Sequence, residues 1–562
     1  MVKKFFSILN REFSGINEAA FLLGGFALIS QILALFRDRA LAHFVGPSAT
    51  LDTYYAGFVI PDLIFNTFAS LVSITVLIPF FIEKLDHDRE NNGVQAKSFL
   101  NEIFTAFLCM MIGVAVIAFV FMPYLAHRVA PGFTGDQLAK LINTSRIMLL
   151  SPILLGFSNL FGTVTQIFKR FFVYALAPVF YNLGIIAGII FFRPMFGVYG
   201  LAFGVALGAL LHVSLQIPVL IKHRFIPHFS KVNFADLKKV FMLSLPRTLA
   251  LALNSIAIAV IVSIASTIRE GSISLFNFAY NLQSVPISII GVSYSVAAFP
   301  ALAHAFSTGQ ITNFKEQIVN ASRQIIFWSL PIVFLFIVLR AQIVRVILGS
   351  GSFSWSNTRL TAAALALFAI SVVAQSLIVL FTRGYYAAGK TRRPLVVNLV
   401  FTALEIIFAI LLLKYFQSHA EFRYFIESLL RVEDVPGTAL LMLPLGYSLG
   451  TILNFFGLWF LFKYDFLKDR RGSLARTFFE VFAASFFMAF VAYLFLGLFG
   501  RIFDINTFWG ILGQGFLSGI FGIFAGIVVF VLLKNQEFKE VIATFRKKFW
   551  KTKIILPSQT DL

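Results

Sequence analysis

The sequence is poor in cysteine, in acid and in charge altogether. Cys109 is its one cysteine and sits in an apolar stretch, so no intrachain disulfide and no cysteine metal cluster is available. Only 13% of the residues are charged, and 26 acids stand against 46 lysines and arginines in 562 residues. An integral-membrane glycosyltransferase, the enzyme alternative, would want acidic clusters or a metal site open to water. The densest acidic stretch, Glu83 to Glu90, interleaves its acids with Lys84, His87 and Arg89, as a solvated loop does. Catalysis is therefore not expected. No small-residue cleavage site follows the first apolar run, which reads as a retained helix.

What the chain has instead is apolar length. It is 59% hydrophobic with a mean hydropathy of +0.86, far more apolar surface than a soluble fold needs. The expected class is an all-α, polytopic integral membrane protein. About 20 apolar residues cross a hydrocarbon core, and scanning at that length gives about fourteen candidate spans. The 70 phenylalanines are scattered as lipid-facing helices tolerate, and mark no aromatic site. Pro61 and Pro286, each in a span with a polar start, recur about 225 residues apart. Lys169-Arg170-Phe171-Phe172 is echoed by Arg383-Gly384-Tyr385-Tyr386, and Asn182 after Ala177-Pro178 by Asn398 after Arg393-Pro394. Six spans per copy make the two copies parallel repeats. The expected organisation is a short N-terminus (1–17), an N-lobe (18–222), a basic linker (223–239), a C-lobe (240–465), two added spans (472–535) and a basic tail (536–562). A long loop from Lys414 to Gly437 widens the offset between the copies.

A formal charge of +20 raises the question of nucleic acid, but the charge follows topology. With the N-terminus inside, roughly thirty lysines and arginines fall on one side and fewer than about a dozen on the other. Both termini are thus expected in the cytoplasm, with no nucleic-acid partner. From Gln536 to Lys553 an amphipathic helix sets Phe538, Ile542, Phe545 and Phe549 among lysines and arginines, a pattern suited to anionic phospholipid headgroups.

The first span carries the most informative residues. Its apolar run from Ala19 to Phe36 continues into Arg37-Asp38-Arg39 and then resumes at Ala40. A charge near a helix centre costs about 2.5 to 3.5 kcal/mol on insertion scales, so it normally faces a bundle interior or a watery cavity. Ser30, Ala34 and Arg37 share one helical face, while Arg39 points roughly 200° away. Only one arginine faces a cavity squarely; Asp38 pairs with either or with a neighbouring helix. Snorkelling to the interface is the plainer reading, and the apolar residues after the triplet weigh against it.

In order along the chain, Phe36-Arg37-Asp38, Thr144-Ser145-Arg146, Lys169-Arg170-Phe171-Phe172, Leu245-Pro246-Arg247 and Arg383-Gly384-Tyr385-Tyr386 with Lys390-Thr391-Arg392-Arg393-Pro394 resemble one family. It is the MurJ (MviN) lipid II flippases of the multidrug/oligosaccharidyl-lipid/polysaccharide exporter superfamily. The resemblance implies two lobes around a central cationic cavity that takes the headgroup of an undecaprenyl-pyrophosphate-linked glycolipid, in the bacterial inner membrane. It also implies a lipid-tail groove at the two added spans and an association with the cell-wall synthesis machinery. Arg37 and Asp38 match the family's first-span pair and are expected at the substrate, with Arg39, Arg247, Gln31, Asn66 and Asn281 around them. Gln31, Phe65 and Asn281 stand where family members usually carry further arginines. Arg39, Asn66, Arg247 or Gln283 would have to compensate. A relative carrying another lipid-linked oligosaccharide, a drug/cation antiporter and a non-transporting scaffold are the alternatives. Arg247, just after Pro246, reads equally as a ligand or as an interfacial anchor. In span eleven, Glu405 with Asn398 and Thr402 is expected either to hold a coupling cation, sodium by the resemblance, or to pair with a polar neighbour. Membrane potential is the other candidate driving force.

Overall fold

The computed structural model describes residues 16–69, 94–467 and 473–550, with Leu77, Phe80, Phe81 and Lys84 between the first two stretches. The side chains of 16–21, of several positions in 234–250 (Arg247 among them) and of 544–550 lie outside the description, as does most of Glu83 to Glu90. Among the described residues every regular element is helical. In hydrocarbon a backbone N–H or C=O finds no water, and an α-helix satisfies both within one segment.

The helices longer than about ten residues run α1 (Ile16–Phe44), α2 (Ala49–Thr67), α3 (Val94–Val129), α4 (Gly135–Met148), α5 (Leu150–Ile167), α6 (Phe171–Ala187) and α7 (Val198–Ser214). Then come α8 (Phe234–Ser266), α9 (Ser272–Pro286), α10 (Ser293–Ser307), α11 (Ile311–Val338), α12 (Trp355–Ala369) and α13 (Val372–Ala387). The last are α14 (Arg392–Ser418), α15 (Ala420–Leu430), α16 (Met442–Phe466), α17 (Ser473–Phe499), α18 (Phe508–Leu532) and α19 (Gln536–Trp550). Among the described residues ten helical stretches are long and apolar enough to cross a membrane, or eleven if α12 and α13 form one broken span. With α1, α2 and α8 beside them, that is compatible with the expected fourteen. The chain is a multi-pass membrane protein.

One expectation changes. The stretch from Lys414 to Gly437 is not a loop: α14 continues to Ser418, and α15 follows after a single extended residue, His419. The apolar pattern of α15 buries Ile426 and Leu430, and Thr438 donates to the buried Glu427 carboxylate at 2.6 Å. A helix this short is marginal alone, and these contacts are what hold it.

The chain divides into two compact units. The first comprises 1–285, 347–368 and 391–454. Within it, α6 and the π-helical turn that extends it (Gly188–Phe192) lie directly against α7. Glycines at every fourth position allow this: a Cβ on Gly184 would stand 2.3 Å from Gly208 Cα, and one on Gly188 would stand 2.4 Å from Gly204 Cα. Backbone-to-backbone approach of this kind is how membrane helices gain packing where burial offers no hydrophobic gain. α1 turns into α2 through Gly46, whose φ of +66° suits glycine, and Ser48 caps α2 by accepting from the Leu51 N–H at 3.4 Å. The buried Asp52 carboxylate accepts from the Gly271 N–H at 2.6 Å, the Ser274 N–H at 2.8 Å and the Ser274 hydroxyl at 2.6 Å. A negative group at the start of α9 satisfies donors that the helix leaves unpaired and complements its dipole, tying α9 to the start of α2.

The second unit comprises 286–346, 369–390 and 455–562. Here α17 packs against both α18 and α11, with Phe495 stacked on Phe521 at 4.2 Å. The first turn of α19 is anchored by polar contacts. Asn535 accepts from the Phe538 N–H at 2.9 Å and donates to Glu480 at 2.9 Å, while buried Glu537 accepts from Thr477 at 2.8 Å. Arg476 pairs with Glu480 at 2.7 Å, as its position four residues back suggests.

Candidate functional site

The first unit contains a cavity of about 300 Å³. Four helices line it: α1 through Arg37, α2 through Tyr54, Tyr55, Asp62 and Asn66, α8 through Asn254 and Ser255, and α9 through Asn277, Tyr280 and Asn281. Of the residues expected at the substrate, Arg37, Asn66 and Asn281 are brought together here.

Arg37 is held from two sides. Its Nε and Nη2 donate to Asp38 Oδ1 at 3.0 and 2.8 Å, and its Nη1 donates to Asn182 Oδ1 at 3.4 Å. Asn182 is itself oriented by donating to Ser30 Oγ at 3.2 Å and to the Pro178 carbonyl at 3.2 Å. Ser30 and Arg37 therefore meet one partner, as their shared face requires. Asp38 stands behind the wall, 3% exposed, and its second oxygen accepts from Asn281 Nδ2 at 2.9 Å. One carboxylate thus joins α1 to α9. Three of the five guanidinium N–H groups of Arg37 are engaged, which leaves about two for a ligand. Beside them the Tyr55 hydroxyl is buried and, among the described residues, has no hydrogen-bond partner. Planar N–H donors next to a free hydroxyl suit phosphate oxygens.

The other expected residues are placed differently. Arg39 donates to the Ile347 carbonyl at 3.2 Å, away from the cavity lining, as the angle between it and Arg37 demands. Gln31 and Phe65 are half-buried and Gln283 is buried, none of them lining the cavity. Arg247 lies on α8, with its side chain outside the described residues. Asn66 donates to Ser255 at 2.8 Å, joining α2 to α8.

Tyr55, Asp62 and Asn277, to which the sequence reading gave no role, stand in the wall beside the expected Asn66 and Asn281. Tyr55, Asp62 and Asn66 recur at helical spacing on α2, and Asn277 and Asn281 on α9. That periodicity of polar groups inside apolar spans was the available signal. The lining is accordingly mixed in sign: among the described residues it holds one arginine and one aspartate.

A second polar cluster surrounds Glu405 on α14. Its side chain is buried against Gly450, and among the described residues its Oε1 has no hydrogen-bond donor. One turn along α16, Asn454 donates to Asn398 Oδ1 at 3.2 Å, while its own Oδ1 is buried with no donor among the described residues. Thr402 is half-buried on the same α14 face. Among the described residues no group of three or more His, Cys, Asp or Glu side chains forms a metal site. His212 on α7 makes a contact to α5, its Nδ1 2.6 Å from Ser158 Oγ.

Comparison with known proteins identifies the framework. The family described as lipid II flippase MurJ matches residues 41–420, more than half of the chain. The chain belongs to the MurJ family. Among MurJ relatives, the probable lipid II flippase MurJ of Buchnera aphidicola subsp. Schizaphis graminum is 26% identical over 408 residues, covering 72% of this chain and 79% of that protein. The probable lipid II flippase MurJ of Thermotoga maritima is 27% identical over 389 residues, covering 69% and 77%. A solved lipid II flippase MurJ in an inward closed conformation superposes with a TM-score of 0.73 at 20% identity, over 93% of this chain and all of that one. A multidrug resistance MATE family transporter of the MOP superfamily gives 0.58 at 16% identity, over 77% and 98%. At those identities the structures establish the shared fold. The MurJ match begins at residue 41, so Arg37 and Asp38 stand on their geometry alone.

Proposed function

We propose that this protein is a flippase that carries lipid II, the undecaprenyl-pyrophosphate-linked peptidoglycan precursor, from the inner to the outer leaflet of the bacterial cytoplasmic membrane. The observation that carries the reading, in a chain of the MurJ family, is Arg37. It is a guanidinium held by Asp38 and Asn182 at a cavity inside the membrane-spanning unit, with N–H groups to spare. A diphosphate cannot cross hydrocarbon unaided, and Arg37 with the Tyr55 hydroxyl would replace part of its hydration. No bond is made or broken; the protein acts by binding and alternating access. The lobes at 18–222 and 240–465 would rock to open the cavity to each side in turn, the lipid tail staying in the bilayer along α17 and α18. Both termini lie in the cytoplasm, on the side of the basic loops, where the tail meets anionic phospholipids. The cell-wall synthesis machinery, which consumes the product, is the expected protein partner.

The cluster at Glu405 would hold the coupling cation. Its donor-less oxygens on Glu405 and Asn454, next to the Asn398 amide, fit sodium, which takes oxygen ligands and brings the positive charge that a buried carboxylate lacks. Replacing sodium by choline is expected to slow transport in reconstituted vesicles, and Glu405→Gln to remove that dependence. A sodium response unchanged in Glu405→Gln would remove Glu405 from the site.

The decisive experiment expresses the protein in cells depleted of their own flippase and measures lipid II on the outer face. Restored exposure is expected. A well-inserted protein that restores none would sink the reading.

A further inference from the structure

Asp62 is the cavity group that diphosphate binding leaves unused. It sits on α2 two helical turns beyond Tyr55, about 10 Å along the axis at 1.5 Å per residue. Its side chain is exposed to the cavity, and among the described residues it has no hydrogen bond or ion pair. The cation on the same lining, Arg37, is already matched by Asp38 at 2.8 Å. The remaining polar wall, Asn66, Asn254, Ser255 and Asn277, is uncharged. Phe58, Val59, Ile258 and Val262 complete it with apolar surface. A carboxylate placed there is poorly solvated and gains most from a cation that arrives with the ligand. A wall built for a diphosphate alone would not carry an acid. A wall with N–H donors at one end and a carboxylate about two turns away is complementary to a ligand that is anionic at one end and cationic at the other.

We propose that Asp62 is a specificity-determining residue that binds a primary ammonium group on the transported headgroup while Arg37 holds its diphosphate. The inference rests on the flippase reading and adds the chemical class of the headgroup: zwitterionic, with an amine on its peptide part. Asp62 thereby rejects amine-blocked headgroups, because they leave the carboxylate without a partner.

The test measures equilibrium binding of two lipid II preparations to the purified full-length protein in nanodiscs. In one preparation the peptide carries a free lysine amine, and in the other that amine is acetylated. The wild type is expected to bind the free-amine form about tenfold more tightly, the scale of one charge-assisted hydrogen bond. Asp62→Asn should bring the ratio to about one, and Asp62→Glu should restore most of it. A preference that survives in Asp62→Asn, or binding of both forms without discrimination by the wild type, overturns the proposal and leaves the flippase reading standing. A folded wild type that binds neither form overturns both. Each titration is repeated with sodium exchanged for N-methylglucamine at constant ionic strength. If sodium shifts the binding of both forms equally in the wild type and in neither form of Asp62→Asn, the carboxylate holds an inorganic ion and the ammonium assignment falls.

Discussion

Arg37→Ala is expected to abolish the restoration of lipid II exposure, lowering it by about 100-fold or more while the protein still inserts. Two losses add. The cavity loses its one described guanidinium, and Asp38 keeps a buried charge with, among the described residues, Asn281 alone to answer it. Removing one partner of a buried ion pair typically costs about 3 to 5 kcal/mol, and each 1.4 kcal/mol is about tenfold in an equilibrium. Arg37→Lys should rescue little. A single ammonium cannot reach Asp38 and Asn182 together and still offer N–H groups to a phosphate, since that takes the planar fork. Comparing lipid II exposure with membrane abundance and melting midpoint separates transport from folding. Full exposure by Arg37→Ala would show that the substrate's phosphates are held elsewhere.

The second large effect is on the fold. Gly204→Leu is expected to destabilise the protein by more than about 3 kcal/mol, seen as loss of the monodisperse peak in detergent and a marked fall in melting midpoint. A Cβ on Gly204 would lie 2.6 Å from Gly188 Cα, with backbone rather than a flexible side chain in the way, so the helices must separate. Separation also reaches the site, because α6 carries the Asn182 that anchors Arg37. Gly25→Ala is the control: a Cβ there meets nothing within 4 Å, and alanine is the better helix former. Equal stability of Gly204→Leu and Gly25→Ala would refute close packing of α6 on α7.

The contrast between Arg37 and Asp62 shows how much of the site could be read in advance. Three adjacent charges interrupting an apolar run stand out, because lipid penalises each of them, and helical spacing already separates Arg37 from Arg39. Asp62 is a single acid following a proline; its helical spacing with Tyr55 and Asn66 marks a polar face, but not whether that face meets a partner helix or a cavity. Gln31 shows the converse. It lies on the cavity-bearing helix, yet its face turns elsewhere.

α15 makes the same point for the fold. Its segment is too short and too polar to register as a span, and it becomes a helix because Ile426, Glu427 and Leu430 find partners around it. The helical membrane class and the charged first span followed from sequence alone, since hydrocarbon imposes its cost residue by residue and within one segment. The joining of Asp38 to Asn281, of Asn182 to Arg37, and of Asp62 to the same cavity came only with the tertiary structure. These residues are up to 243 positions apart, and only helix packing decides which polar faces meet.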